Sequence, residues 1–458
     1  MELKVRPVYD PGFTPIVKYM EQYEKDVQAA PHKRIALSVE RNKGYVHTLF
    51  TDVFEDGVDD ERNNAVAERI LKTFLWIYGG WKIIISGSRS IYEHIKNTYS
   101  PDGKRAFDFD FMSGVYEKEF TVEYRENASD APETKESSSP VGRHLEGCRI
   151  GFDAGGSDVK VSAVIDGQSV YSEEIIWHPK TQTDPNYHRN GVKNAMLKAK
   201  EKMPRLDGIG VSSAGVYIDN RAMVASLFVK LSKEDQKSLR NIYLDAAKEV
   251  GGDVPVEVAN DGDVTALAGA MDLNDNNVLG IAMGTSEAGG YVDENGYITG
   301  WLNELAFVPV DMNPAALIDE WSGDIGCGVK YFSQDAVIKL CPAAGIELDE
   351  KLTLAEKLKY VQNLHASGDK RTEGIYQTLG VYFGYQLAYY ARYYDIKHVL
   401  IMGRVTSGNG GQTLLKTARE VLDAEYPLLS KKMQLHIPDE SSRRVGQSVA
   451  AASLPVIK

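Results

Sequence analysis

Five strand-like apolar runs in this 458-residue chain each stop at a loop of small or acidic residues, and that recurrence constrains the fold more than any other feature. They are CRIGFDAGGSDVKVSAVIDGQSVYSEEI from Cys148, LDGIGVSSAG (206–215), VPVEVANDGD (254–263), NVLGIAMGTSEAGG (277–290) and HVLIMGRVTSGNGG (398–411). Patterns of helical period separate them: SKEDQKSLRNIYLDAAKEV (232–250), LTLAEKLKYVQNLHA (352–366) and EGIYQTLGVYFGYQLAYYARYY (373–394). Apolar strands that alternate with helices and close on Gly, Ser, Thr or Asp give an α/β architecture with its ligand at the strand ends. Within the first run, polar and apolar residues alternate, broken at Gly155-Gly156 and at the hairpin signal Asp166-Gly167. The tyrosine-rich helix repeats Ile375, Leu379, Tyr382, Phe383, Gln386 and Tyr390 at three- and four-residue spacing. That stripe reads as buried packing or a dimer face rather than an aromatic ligand cage.

The sharpest change of composition falls at 126–147, ENASDAPETKESSSPVGRHLEG, which is rich in Ser, Pro, Glu and Thr and has few large apolar residues. It reads as a polar linker after an extra N-terminal α/β module, residues 1–125. In that module KRIALSVERNKGYVHTLFTDVF (33–54) gives two strands joined near Asn42-Lys43-Gly44, with a helix at 61–78. A strand then runs into KIIISGSRS (82–90), and another helix follows. Ile35, Leu37 and Ser38 align with Ile150, Phe152 and Asp153, so the module is either a decayed internal repeat or simply another hairpin. Asp108 and Asp110, in AFDFDF, mark the polar face of a strand rather than a metal site.

The charge balance of 52 Lys+Arg against 65 Asp+Glu, net −13, disfavours a nucleic-acid partner, which needs a cationic surface. The same acidity sits awkwardly with a protein that handles phosphate. Three cysteines, Cys148, Cys327 and Cys341, are too few and scattered for a disulfide framework and suit a reducing compartment. The N-terminal sequence lacks the apolar core of a signal peptide, and no run approaches a membrane span. The expectation is a cytoplasmic protein with no membrane partner.

Four loops carry the chemistry. In GFDAGGSDVK (151–160), a turn with two glycines exposes backbone N–H groups to phosphate oxygens. Asp153 at the strand end is placed to hold a water of Mg2+, and Lys160 adds charge. A plain hairpin glycine pair is the bland alternative. In VANDGDVTALAG (258–269), Asp261 opens a small-residue helix where a general base for a substrate hydroxyl belongs, with Asn260 as its hydrogen-bonding neighbour. The alternative is a helix cap, a role that Asp263 fits equally well, leaving Asp261 free. The turn MGTSEAGG (283–290) closes on the phosphates from the other side. MGRVTSGNGG (402–411) suits a base or ribose opening onto a helix N-terminus.

The order DxGGS, GxGxxxxG, ND, GT…GG, NEL and a glycine-rich loop after VLIMG resembles the ROK family (repressors, open reading frames and sugar kinases) over roughly 149–455. That family lies within the actin/hexokinase/heat-shock-protein ATPase superfamily. The resemblance implies two RNase-H-like lobes, 148–270 and 271–458, with Mg-ATP in the cleft, a sugar beside the γ-phosphate and a homodimeric assembly. It makes Asp261 the catalytic base and Asn260 and Glu304 sugar ligands, with Ser213 and Gly215 in the flanking GIGVSSAG loop beside Gly208 and Gly210. It assigns Asp153, Gly155, Gly156 and Ser157 to the first phosphate loop, Gly284 and Thr285 to the second, and Gly403 to adenosine.

The chain departs from the family in two places. Many ROK kinases hold zinc through one His and three Cys, in GE-x-GH and C-x-C-G-x-x-G-C. Here those positions read Phe307, Ile325, Cys327 and Phe332. One soft ligand does not hold zinc, so the expectation is no zinc, with hydrophobic packing in its structural role; stoichiometric zinc by elemental analysis would contradict it. In the second phosphate loop Ser286 and Ala288 replace glycines, and Glu287 places an acid near the expected phosphate. That acid argues against ordinary ATP turnover and favours the alternative, a non-catalytic sugar or nucleotide sensor of the same fold.

Overall fold

The computed structural model describes residues 2–136, 140–156, 158–438 and 440–457, and the side chains of 440–445 fall outside that description. Its N-terminal part begins with α1 (Ile16–Gln28), whose Ile16, Met20, Tyr23 and Val27 recur at helical spacing and are all buried. The hairpin β1 (His32–Glu40) and β2 (Val46–Phe54) turns through Asn42–Gly44, where Lys43 takes φ 62° and Gly44 φ 68°. α2 (Asp60–Ile77) is capped by the Asp59 carboxylate, which accepts from the Arg62 N–H. β3 (Lys82–Ser86), α3 (Arg89–Thr98), α4 (Ala106–Tyr116) and β4 (Thr121–Arg125) complete a sheet of order β2-β1-β3-β4.

The AFDFDF run expected as a strand is the first half of α4. Asp108 is drawn inward by the Lys72 ammonium (3.2 Å) and the Trp76 indole N–H (2.7 Å), while Phe107 and Phe111, four residues apart, both lie against that indole. Tertiary contacts decide against the two-residue period.

The next unit holds β5 (Cys148–Ala154), β6 (Asp158–Ile165), β7 (Gln168–Ile176), α5 (Pro185–Lys200), β8 (Gly208–Ser213), β9 (Val216–Ile218), β10 (Arg221–Val224), α6 (Lys233–Ser238), α7 (Ile242–Gly251) and β11 (Val256–Asn260). Its sheet runs β11-β8-β5-β6-β7, an antiparallel meander β5-β6-β7 with β8 and β11 added parallel. In the N-terminal sheet β3 lies antiparallel to β1. The two sheets therefore share an antiparallel hairpin and differ in the strand added beside it.

α8 (Asp261–Leu273) crosses from β11 to a second sheet, packing on β12 (Val278–Met283) and β13 (Glu287–Val292). There follow α9 (Gln334–Leu340), α10 (Leu354–Ala366), α11 (Lys370–Tyr390), β14 (His398–Met402), α12 (Asn409–Glu425), α13 (Pro427–Lys432), β15 (Gln434–His436) and α14 (Glu440–Ala452). The sheet order is β13-β12-β14-β15. The C-terminal helix does not stay with this sheet, as the boundary 271–458 expected. A Cβ on Gly151 or Gly210 would lie 2.0 Å from the Ser448 carbonyl or 1.7 Å from that of Ala451, so both glycines exist to let α14 lie on β5 and β8. Gly210 is thus a strand residue and not part of a loop flanking a sugar.

Three hydrophobic cores organise the described residues, the smallest of them formed by α8, β12, β14 and α14. Of the two larger ones, one fills the β5–β11 unit; the other is continuous from the N-terminal module into the second sheet and α11. α11 is buried on nearly all sides, and the hydroxyls of Tyr382, Tyr385, Tyr389 and Tyr390 bond Asp10, Glu425, Thr73 and Glu287. Its aromatic stripe is core, not a dimer face. The polar stretch after β4 does not detach the module. Val46 and Lys135 exchange backbone hydrogen bonds (2.9 and 2.8 Å), Ile298 donates to Val141 (3.0 Å) and Gly142 to Leu454 (3.1 Å). A shortage of apolar side chains does not free this strap, because its backbone bonds are joined by polar side chains: Glu136 pairs with Arg41 and Trp301, and the Arg143 guanidinium donates to the Asp275 carbonyl (2.7 Å). No helix among the described residues is long and apolar enough to cross a membrane.

Candidate active site

The first glycine turn joins β5 to β6. Asp153, the last residue but one of β5, accepts from the Ser212 hydroxyl (2.7 Å) on the neighbouring β8. Gly155 is fixed by its N–H to the Asp158 carbonyl (2.9 Å) and by the Trp177 indole N–H on its own carbonyl (3.0 Å). Ser157 lies outside the described residues. Lys160 sits within β6, in register with Asp153, rather than at the tip of the turn. A cation that does stand at the turn is Lys180: its Nζ lies 3.1 Å from where a Cβ on Gly156 would stand. Nothing in KTQTDPNYHRN marks that lysine, because its place depends on Trp177 anchoring the loop across the turn.

The second group forms where β11 becomes α8. Asn260 caps the helix by accepting from the Gly262 N–H (2.7 Å), and its amide donates to the Gly215 carbonyl (2.7 Å), which leaves one N–H of the amide for a ligand. Gly215 adopts φ 137°, a conformation that aims its carbonyl at Asn260. With Asn260 as the cap, Asp263 does not serve as one. It is buried, accepts from the Tyr291 N–H (3.1 Å) and the Asn303 amide (2.8 Å), and is pushed up to about 7 by that burial. Ser213 is fully buried with its hydroxyl on that of Tyr243 (2.8 Å), so its place is in the core and not against a sugar.

Asp261, at the first position of α8, is held up to about 6; burial is the main cause, the nearby Asp153 adds to it, and the Lys180 charge eases it. Glu304 stands near enough to feel both Asp261 and Asp263, and burial pushes it to about 7. Its carboxylate has no hydrogen-bond partner among the described residues, while its backbone N–H is fixed on the Trp76 carbonyl (2.9 Å). Beside this group a cavity of about 370 Å3 separates Arg41, Lys43, Tyr45 and Tyr116 of the N-terminal module from Tyr217 and Asp219. A narrower cavity of about 70 Å3 shares the walls Tyr217 and Glu257 and is also lined by Gly215 and Asn260.

The third group lies at the ends of β12 and β14. Gly284 closes a tight turn on Ser286 (2.9 Å), Gly403 follows β14 at φ 98°, and the Arg404 guanidinium donates to the Thr285 hydroxyl (2.7 Å). The expected trio Gly284, Thr285 and Gly403 therefore meets, with Arg404 as an addition that the loop pattern did not single out. Glu287 does not point at this loop. It is the first residue of β13 and its side chain is buried, where one oxygen accepts from the Tyr390 hydroxyl (3.3 Å) and the other faces Gly328 without a partner. Burial pushes its carboxyl up to about 8, which keeps it protonated at neutral pH. The acid that argued against ATP turnover is a neutral core residue.

The segment matching a zinc site lacks donors. Phe307 packs on Trp76 (4.2 Å between ring centres) and Phe332 on Phe383 (5.7 Å), and the Ile325 carbonyl meets Arg69. Cys327 is buried, and its thiol is pushed up to about 12, the opposite of a metal-bound thiolate. These residues do not fit zinc. Buried charges as well as packing hold the segment, as described below.

The ROK family model matches residues 149–425. Among solved structures, the ROK hexokinase of Thermus thermophilus superposes with a TM-score of 0.50 at 18% identity, covering 66% of this chain and 97% of that one. A ROK family transcriptional regulator, a homologue of the E. coli MLC protein, superposes at 0.51 and 16% identity, covering 68% and 79%. At such identities the likeness is one of fold: two lobes of the actin/hexokinase type. No curated protein matches the chain.

Proposed function

This chain belongs to the ROK family, and on that premise we propose that it is an ATP-dependent sugar kinase. The observation that carries the reading is Asp261, a carboxylate on the first turn of α8 between the two lobes, flanked by Asp153 and Glu304 and held near neutrality. A base that must take a proton from a hydroxyl works best with a pKa close to the operating pH. Asp261 takes the proton of the attacking sugar hydroxyl. Glu304 and the remaining Asn260 N–H hold neighbouring hydroxyls. The backbone N–H groups at Gly156 and Thr285, with Lys180 and Arg404, face the phosphates and stabilise charge that spreads in the transition state. The donor set fits Mg2+ carried with ATP, since Asp153 ends a strand beside a loop of N–H donors and suits a water of that ion. When bound, the ion would neutralise phosphate charge.

The test is a panel of hexoses, amino sugars and disaccharides incubated with the protein and Mg-ATP, read by mass spectrometry for sugar phosphate and by coupled assay for ADP. At least one sugar phosphate with equimolar ADP is expected. Sugar-dependent thermal stabilisation without product from any sugar would favour a sensor and overturn the kinase reading.

A further inference from the structure

Glu304 stands on a segment that the N-terminal module grips at both ends. The last carbonyls of a helix have no partner inside it, and α2 spends two of them here: Ile77 accepts from the Asn303 N–H (3.0 Å) and Trp76 from the Glu304 N–H (2.9 Å). Downstream, the Ile16 N–H bonds Val310 (2.9 Å), the Met312 N–H bonds Thr14 (2.8 Å), and Val310 and Asp311 both donate to Gly326 (2.9 and 3.0 Å). The loop carrying Gly326 is in turn anchored by Asp324, which is buried against Arg69 (2.8 Å), Lys72 (3.4 Å) and Arg105 (2.6 Å), all from the module. Lys72 and Arg105 also meet Asp108 and Glu68. The buried part of the cluster thus balances three cations, Arg69, Lys72 and Arg105, with three carboxylates, Glu68, Asp108 and Asp324, while the exposed Lys104 also reaches Glu68 from the rim (3.3 Å). Its last link is Trp76, whose indole donates to Asp108 (2.7 Å), whose ring rests on Phe307 and whose carbonyl holds Glu304.

We propose that the N-terminal module is the positioning element of the acceptor site, with Lys72, Trp76 and Asp324 as positioning residues for Glu304. This rests on Glu304 being the sugar's ligand. The cluster residues Arg69 and Lys72 and the two carbonyls that fix Asn303 and Glu304 stand on the same helix, α2, so a change in the cluster reaches Glu304 through Trp76. In a buried network, removing one charge strands its partner, whereas removing one of each sign keeps the balance.

The experiment uses the full chain carrying Lys72→Met and Asp324→Asn together. Melting temperature, KM for sugar and for ATP, sugar binding by calorimetry, and amide exchange at 303–308 are compared with wild type. The expected result is a sugar KM raised about tenfold with the ATP KM changed by less than about twofold, and faster exchange at 303–304. Native melting with unchanged sugar KM and unchanged exchange overturns the proposal. Should the double variant not fold, Trp76→Phe keeps an aromatic ring at the site but removes the indole N–H that bonds Asp108, together with part of the ring's packing against Phe307; it is expected to raise the sugar KM about threefold and to loosen the same amides, and no change in either overturns the proposal. If wild type turns over no sugar, the kinase reading fails on its own, and amide exchange still decides whether the module grips this segment.

Discussion

Asp261, Glu304 and Glu287 are three carboxyl groups held well above the ordinary carboxylate range, with different consequences. The first two line the candidate site, where a shared proton affinity near neutrality is useful. Glu287 is in the core, and its cost appears in stability. Its folded-state value of about 8 lies above the ordinary 4.5 of a free glutamate. The folded chain therefore holds this proton more tightly, and the stabilisation is complete below about pH 4.5 and lost as pH rises towards 8. Thermal melts of Glu287→Gln should match wild type near pH 4.5 and exceed it at pH 8 by roughly 2–4 kcal/mol. A pH-independent difference would show that the side chain is not buried as a neutral acid. Lys180→Met should raise the ATP KM about tenfold and move the acidic limb of the kcat/KM profile to higher pH, because the Lys180 charge favours ionised Asp261. An unchanged ATP KM and profile would place Lys180 outside the site. Asp153, Asn260 and Asp261 were legible in the sequence because each sits where a strand ends. Lys180 and the direction of Glu287 were not, since one is set by the bond from Trp177 to Gly155 across the turn and the other by the environment under α11.

At the scale of elements, the strands ending in small-residue loops were the dependable signal. β5, β8, β11, β12 and β14 all lie where their apolar runs placed them. The errors came where a local pattern met a stronger tertiary demand. AFDFDF has a strand's period, yet α4 forms because Asp108 pairs with Lys72 and Trp76 inside the module. The family resemblance put Gly210 in a loop flanking the sugar, but it lies within β8 and serves the close approach of α14. The stretch after β4 looked detached for want of apolar side chains, yet its backbone bonds tie it to β2 and the C-terminal segment. Around Phe307 and Cys327 the sequence shows that the metal donors are gone. It does not show that Asp324, three residues before Cys327, meets three basic side chains from more than 200 residues away.

For the whole molecule, a shared core joins the N-terminal module to the second lobe, so the module belongs to the kinase-like body rather than hanging from it. On the proposed reading, the net charge of −13 does not conflict with phosphate chemistry, because the proposed phosphate contacts are backbone N–H groups, Lys180 and Arg404 instead of a basic surface. The account then stands or falls on one carboxylate between the lobes. In Asp261→Asn, kcat should fall by about 10^3 while the sugar dissociation constant, measured by calorimetry, stays within about threefold of wild type. Sugar phosphorylation by that variant at close to the wild-type rate would contradict the account.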